Sequence, residues 1–479
     1  MTASLRAPTA LDGPAARVAR LLRRHWLFAL LLGAGFALRV LVILAYTPAL
    51  FSPDSNAYLD ESENLHPTPL WPVGYPALLR ALPLSWGMAV VPILQHSLGL
   101  VIAGVLYALL LRLGVPYWLA ALAAAPVLLD AYQLILEEYV LSETLFEAFI
   151  VGGAGALLWR SRLEVPAAAL SALLFSGAAL TRAVGVLALV PAFLVAILLA
   201  GGPGPRRLMP AAALAAVCVA VLGGYAAWYH SWYGSYALAG DAGRRLYGRV
   251  APWVVCEGLS VPDYERVLCP QAPPGERKRI YDLVWAKSSP INRVQVPAGT
   301  TRAAAASDFS RRVIRQQPFG YLSSVGGDIL ASFGPTREPR PGGHRVEQWR
   351  FQTSFPIAGF PPSWSTATPG TGDNGDVHAW LARFLRSYQV VGYLPGPLLA
   401  LGLLVAIASL FPLGSAARAG LRTSTFLFIG LYVALCVVPL LAAPFSWRYQ
   451  LPQLLLIPPA AALGVTALFG WRSSDRRAS

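Results

Sequence analysis

Apolar residues in this chain come in blocks of about 20, and that block length limits the fold more than any other feature. A helix rises 1.5 Å per residue, so about 20 residues cross a hydrocarbon core of about 30 Å. Ten such blocks occupy 26–47, 87–111, 115–134, 139–159, 165–181, 183–200, 208–230, 389–411, 424–444 and 449–470. They are apolar all round rather than on one face, which separates them from the amphipathic helices of a water-soluble core. The expected fold class is therefore an all-α polytopic membrane protein with about ten transmembrane helices and a mixed extracytoplasmic region.

The charge supports the same reading. Only 13% of the residues are charged, about half the share that covers a soluble domain. The net charge of +14 is carried almost wholly by arginine, the two lysines being Lys278 and Lys287. It reads as a topology signal and not as a nucleic-acid surface. With a cytoplasmic N-terminus, the inside segments hold Arg17, Arg20, Arg23 and Arg24, then Arg112, Arg160 and Arg162, Arg206 and Arg207, Arg418 and Arg422, and finally Arg472, Arg476 and Arg477. The short outside loops hold Asp54, Asp60, Glu61, Glu63, Glu137 and Glu138. A miscounted span would break this alternation downstream. The expected location is a bacterial plasma membrane, with both termini cytoplasmic. The run after Arg24 is longer than the ~7–15 residues of a signal-peptide core, so it reads as a retained signal anchor.

The expected organisation follows from the spans. A basic tail covers 1–25, helices one to seven lie in 26–230 with a first outer loop at 48–86, and an extracytoplasmic domain covers 231–388. Helices eight to ten fill 389–470 and a cytoplasmic tail covers 471–479. The first loop is too apolar for a flexible linker, and PALLRALPL suits a short interfacial helix. In the outer domain, 307–333 has helical spacing around Pro318, whereas 334–376 reads as loop. Cys256 and Cys269 lie thirteen residues apart there, either bridged or as free thiols. Cys218 and Cys436 lie in apolar stretches and read as small hydrophobes.

No phosphate loop, dinucleotide fingerprint, HExxH or CxxC pattern is present. Six scattered histidines offer no metal-ligand spacing, and His96 reads as a helix-packing residue. What remains are ionisable groups at the expected outer edge, where charge is costly and is either paired or functional. Asp54, in PDSNAY just beyond the first span, suits a general base, a solvated loop acid or a helix cap. Glu138 and Glu143 follow in LILEEYVLSETLFEAF, with Glu147 on the same helix face as Glu143. These acids suit either a polar cavity or structural pairing with arginine. Arg182 and Arg448 are outer-edge forks that match phosphate oxygens. Arg39, inside the first span, suits snorkelling or pairing with a buried acid.

Taken in order, PDSNAY, WPVGYPALL, LSETLF at 141–146, LTRAVGVLALVP, and Arg448-Tyr449 followed by Pro452 resemble the GT-C superfamily of membrane glycosyltransferases. Bacterial relatives of protein mannosyltransferases and aminoarabinose transferases are the nearest in pattern. The likeness covers about 26–230 and 389–470. It implies a polyprenyl-phosphate sugar as donor, an extracytoplasmic acceptor (glycan, lipid or protein), membrane lipid as partner, and no nucleic acid. It makes Asp54 the general base, Glu138 or Glu143 a second acid, and Arg182 and Arg448 the holders of the carrier phosphate. Tyr58, Tyr75 and Tyr449 from the same motifs join them as substrate-binding candidates. Many relatives carry two adjacent acids in the first loop. Here Ser55 follows Asp54, which weighs against a paired-acid site bridged by a divalent cation, the one cofactor the likeness allows. The competing readings are a lipid-linked sugar transporter, which predicts inverted repeats that inspection does not find, and a non-catalytic envelope scaffold.

Overall fold

The computed structural model describes residues 23–200, 205–277, 280–338, 345–355, 357, 364–366, 375–411 and 419–470. Residues 1–22 of the expected tail 1–25, the whole expected tail 471–479, and Arg418 lie outside the described residues. The protein is an all-α polytopic membrane protein, and each of the ten apolar blocks carries helix. The principal helices, in chain order, are α1 (Trp26–Ala45), α2 (Pro53–Glu63), α3 (Gly74–Ala81), α4 (Val90–Arg112), α5 (Tyr117–Leu129), α6 (Ala131–Glu138), α7 (Glu143–Leu158), α8 (Val165–Thr181), α9 (Leu189–Leu198) and α10 (Met209–Tyr233). After them come α11 (Ala242–Val250), α12 (Arg302–Gln316), α13 (Pro318–Ala331), α14 (Ala379–Val391), α15 (Gly396–Ala408), α16 (Ala419–Tyr432) and α17 (Gln453–Phe469).

Among the described residues five helical segments are long and apolar enough to cross a membrane, or seven if α5–α6 and α14–α15 each count as one bent span. The difference from ten straight spans has a physical cause at each site. The α5–α6 pair bends by 47° at Asp130, whose carboxylate caps α6 by accepting from the Tyr132 amide at 2.9 Å. The α14–α15 pair bends by 48° at a Gly-Tyr-Leu-Pro link (392–395), where Pro395 cannot continue a helix ladder. Helices α7 (16 residues), α8 (17 residues) and α9 (10 residues, after a 3-10 turn at Ala183–Ala188) are simply short.

The two ends of the bundle differ. At one end Arg24 stacks on Tyr117 and Arg112 on Trp159, so segments expected on the arginine-rich side gather together. At the other end the acid-bearing loops and the 231–388 region meet. There Tyr46–Thr47 pairs antiparallel with Asp376–Val377. Phe51 exchanges backbone hydrogen bonds with Ser365, and Leu50 with Glu138 and Val140.

The region after α10 divides between two cores. Residues of α11 and α12, with Leu268, Ile280 and Ile291, pack a small core of their own. Val346, Trp349, Phe351, Trp364 and Leu385 instead join the core of the membrane helices. As the spacing around Pro318 predicts, the chain breaks between α12 and α13 with that proline at the start of α13. Cys256 and Cys269 are joined beside the small core, their Cα atoms 6.0 Å apart, within the usual range for a disulfide. Closing a loop of this length restricts the unfolded chain by about 3 kcal/mol. Reduction is therefore expected to speed hydrogen exchange across 242–316 and leave α4 and α17 unchanged, as read by peptide-resolved mass spectrometry.

Candidate functional site

The loop 48–86 begins with a tightly built turn. Ser52 and Ser55 form a reciprocal capping box, and Pro53 takes the first helical position. The cap is thus Ser52, which leaves the Asp54 carboxylate in the first turn of α2 for another partner. That partner is Arg448, 394 residues further on, whose guanidinium donates to Asp54 Oδ2 at 2.7 Å. The Arg448 Nε donates to Glu143 at the start of α7, and Arg182, just past the end of α8, donates to the same carboxylate oxygen. Four residues from four parts of the chain therefore form one line: Asp54, Arg448, Glu143, Arg182.

Neighbours hold this line in place. Ser142 Oγ accepts from Arg182 at 3.1 Å and lies 3.2 Å from the Tyr58 hydroxyl. The Tyr449 ring lies 5.4 Å from the Arg182 guanidinium and 5.8 Å from that of Arg448. Trp349, from the outer region, covers Arg448 at 5.5 Å. Tyr75 stands one layer back, edge-on to Tyr58 at 5.0 Å, with its hydroxyl donated to Gln95. The line is graded in exposure: the Arg448 side chain is 6% exposed, Arg182 18% and Asp54 36%. Asp54 is the member that water or a ligand reaches most easily.

The charges set the acid's strength. Burial alone would raise the Asp54 pKa, but Arg448, by charge and hydrogen bond, and then Arg182 and Arg245 outweigh it. The carboxyl titrates below its ordinary value. Burial and the Asp54 charge push the Tyr58 hydroxyl up, so it stays protonated and can donate. A divalent cation shared by Asp54 and Glu143 does not fit this arrangement, because the Arg448 guanidinium fills the space between them. No group of three or more His, Cys, Asp or Glu side chains is placed to hold a metal ion among the described residues.

Neither a protein-family model nor a curated protein matches the chain. Among solved structures, a yeast (S. cerevisiae) protein O-mannosyltransferase complex bound to the sugar donor overlaps 49% of this chain and 38% of that one. The identity is 15% and the TM-score 0.35. The chain thus spans well under half the length of that protein. An overlap so partial bears on neither the site nor its chemistry, which rest on the geometry above.

Glu138 lies elsewhere, in a second polar cluster fully enclosed by the bundle. His96 stands between two acids, with Nδ1 2.8 Å from Glu137 and Nε2 3.0 Å from Glu138. Arg39 donates to Glu137 at 2.8 Å and to the carbonyls of Val127 and Leu128. Gln133 donates to Glu137 and Glu147. A Cβ at Gly99 would collide with the Glu137 carboxylate and lie 2.7 Å from Arg39, so glycine there makes room for the pair. Gln95 donates to the Glu137 and Tyr139 carbonyls at 2.8 and 2.7 Å. It thereby fixes the segment that Leu50, four residues before Asp54, bonds through its backbone. Removing one member of a buried pair leaves an uncompensated charge, at a cost of about 3–5 kcal/mol. Glu137→Gln is therefore expected to lower the thermal midpoint in lipid sharply, whereas Glu164→Gln on the surface leaves it unchanged.

A third tie comes from Asp130, at the α5–α6 bend. It accepts both Arg337 terminal nitrogens, at 3.2 and 2.8 Å, and the Leu394 amide at 3.0 Å. Trp447, next to Arg448, donates to the Glu338 carbonyl at 3.0 Å. The segment that carries Arg337 and Glu338 therefore steadies both the helix break and the residue beside the central cation. Sequence reading does not single out Asp130, Ser142, Arg337 or Trp349. Ser142 lies inside LSETLF, but nothing in the spacing of the other three marks them.

Proposed function

We propose that the protein is a membrane glycosyltransferase, moving a sugar from a polyprenyl-phosphate carrier to an extracytoplasmic acceptor. The observation that carries this reading is the Asp54–Arg448–Glu143–Arg182 line, which sets a reachable carboxylate beside two guanidiniums at one end of an apolar bundle. Helices α7 and α8 end at Glu143 and Arg182 after about 24–26 Å of rise, short of a full hydrocarbon core. The line is proposed to meet the phosphate of a donor whose prenyl tail stays in lipid. On this reading that end faces the cell exterior, both termini are cytoplasmic, and 231–388 serves as the extracytoplasmic region.

In the proposed reaction the donor phosphate competes with the two carboxylates for the Arg448 and Arg182 forks. As Arg448 turns to phosphate, Asp54 loses the neighbour that keeps its pKa low, and burial makes it a stronger base. Asp54 then takes the proton of the acceptor hydroxyl, whose oxygen bonds to the anomeric carbon. The carbon–oxygen bond to phosphate breaks, and polyprenyl phosphate leaves with its charge held by the arginines. A single displacement inverts the anomeric centre. Glu143, bound to both arginines, orients the forks, Tyr58 and Tyr449 shape the approach, and Tyr75 backs Tyr58 from one layer behind. Glu138 serves as a support of the Asp54 loop through its backbone pairing with Leu50.

The test is to incubate the purified protein in lipid with a panel of polyprenyl-phosphate sugars and candidate acceptors, scoring release of polyprenyl phosphate. Donor-specific release that requires Asp54 is expected. Binding of donors followed by their transfer across the bilayer unchanged would overturn the reading in favour of transport.

A further inference from the structure

Helix α13 turns its polar face inward and its apolar face outward. Ser324 and Asp328, one turn apart, hold the Arg249 side chain of α11. Ser324 Oγ accepts at 2.5 Å, and the buried Asp328 carboxylate pairs with the same guanidinium. Phe319, Leu322, Gly326 and Leu330 form the opposite face at helical spacing. Phe319 is 86% exposed, Leu322 60% and Leu330 74%, and a Cβ at Gly326 would meet nothing within 4 Å. A helix whose outer face meets water has the reverse order. The preceding helix, α12, shows that order, exposing Arg311, Arg312 and Arg315 while burying Ala305, Phe309 and Val313. The switch falls at Pro318.

The contacts of α13 point to what its outer face meets. Near its start, Tyr321 donates its hydroxyl to the Leu441 carbonyl at 2.8 Å. Leu441 ends the segment Gly420–Leu441, which is 22 residues long and apolar enough to cross a membrane. Just past the other end of α13, the Phe333 ring lies 6.3 Å from that of Tyr432. Tyr432 sits back inside the same segment by about 13 Å of helical rise. The Gly396 amide, at the start of α15, donates to the Gly334 carbonyl at 3.1 Å, and a Cβ at Gly396 would collide with the Phe333 backbone. Ile329, Ala331 and Phe333 pack against the core of the membrane helices. Helix α13 therefore lies along the end of a membrane-crossing segment, where Val433 and Leu441 are exposed apolar side chains as well. With 14 residues it is short of the about 20 that a crossing needs.

We propose that α13 is a re-entrant helix embedded in the leaflet at the Asp54 end of the bundle, with acyl chains covering Phe319, Leu322 and Leu330. The chain enters the leaflet at Pro318 and turns back after Phe333, so one part of 231–388 belongs to the membrane. The Arg249–Asp328 pair stays enclosed by protein, as charge in that setting requires. This placement does not depend on any transfer reaction.

The test uses the full-length protein in phospholipid vesicles, with a nitroxide label on Leu322→Cys, Leu330→Cys or, as the water-facing control, Arg315→Cys. All three side chains are exposed, so a label there displaces no core. Cys218 and Cys436 are buried and Cys256 is bridged to Cys269, and the unsubstituted protein supplies the background. Oxygen, which concentrates among acyl chains, is expected to relax the labels at 322 and 330 several-fold more than a water-soluble nickel chelate does. The order should reverse at 315. Preference for the chelate at 322 and 330 would put the face in water and overturn the proposal. Protection from both reagents would mean that protein covers the face, and would overturn it equally. Should the variants fail to insert, a phospholipid with a photoreactive acyl chain, applied to the wild-type protein, decides. Adducts within 318–331 support the embedded helix, and adducts on 420–441 with none on 318–331 overturn it.

Discussion

Asp54→Asn is expected to abolish sugar transfer, with turnover falling by about 10²–10⁴-fold, the usual contribution of a positioned proton acceptor. Asparagine keeps the shape of the side chain and can still accept from Arg448 through its carbonyl oxygen, so folding and membrane insertion should persist. The carboxylate is more than a third exposed and Arg448 keeps Glu143 as a partner, so losing this charge costs little stability. Donor affinity should change little or rise, because Arg448 is freed to meet phosphate. Loss of turnover with donor binding intact is thus the expected signature. Full turnover in this variant would remove Asp54 from the chemistry.

The pH profile gives a finer reading of the same residue. In the donor-free protein Asp54 titrates below its ordinary value, so its ion pair is fully formed above the unfolded value of about 3.9. The stability from that pair is lost only as pH falls through the lower folded value. The acidic limb of kcat/KM, which reports the free enzyme, should accordingly lie below the ordinary carboxylate range. In Arg448→Gln that limb should move upward, since burial then acts on Asp54 without its main counter-charge.

Arg448 carries the second large effect, because one guanidinium satisfies two acids. Arg448→Gln leaves Glu143, 5% exposed, with Arg182 as its remaining arginine partner, and leaves Asp54 with none at contact distance. Breaking a buried pair costs about 3–5 kcal/mol, and the remaining Arg182 contact places the expected loss near the lower end. Donor KM should rise and turnover fall together, because the residue is proposed to hold phosphate both before and during transfer. Arg448→Lys separates the two roles. A lysine restores a positive charge but lacks the fork that reaches Asp54 and Glu143 at once. The thermal midpoint should recover in part while donor KM stays high. If Arg448→Lys transfers sugar like the wild type, the bridging geometry is irrelevant to the donor.

Much of the fold was legible because a membrane helix needs a long apolar run, and such runs are read directly. The bends were not. Asp130 breaks a span from inside an apolar stretch, and only the partners it gains at Arg337 and Leu394 explain why the break is tolerated. The pairing of Arg39 with a buried acid was one of two open readings, and Glu137 is that acid. The four residues of the central line were each visible as charges in costly places. Their common meeting point was not, since Asp54 and Arg448 lie 394 residues apart. Trp349 and Arg337 were hidden for another reason. They sit in a Pro- and Gly-rich stretch without periodicity, where burial arises only once the membrane helices provide a surface.

The most direct measurement is a structure of the full-length protein in lipid with a non-hydrolysable polyprenyl-phosphonate sugar. The account predicts the phosphonate within hydrogen-bond distance of Arg182 and Arg448. It also predicts Asp54 released from Arg448 and the anomeric carbon turned towards the Asp54 carboxylate. A phosphonate bound away from both arginines, with the Asp54–Arg448 pair still closed, would contradict it.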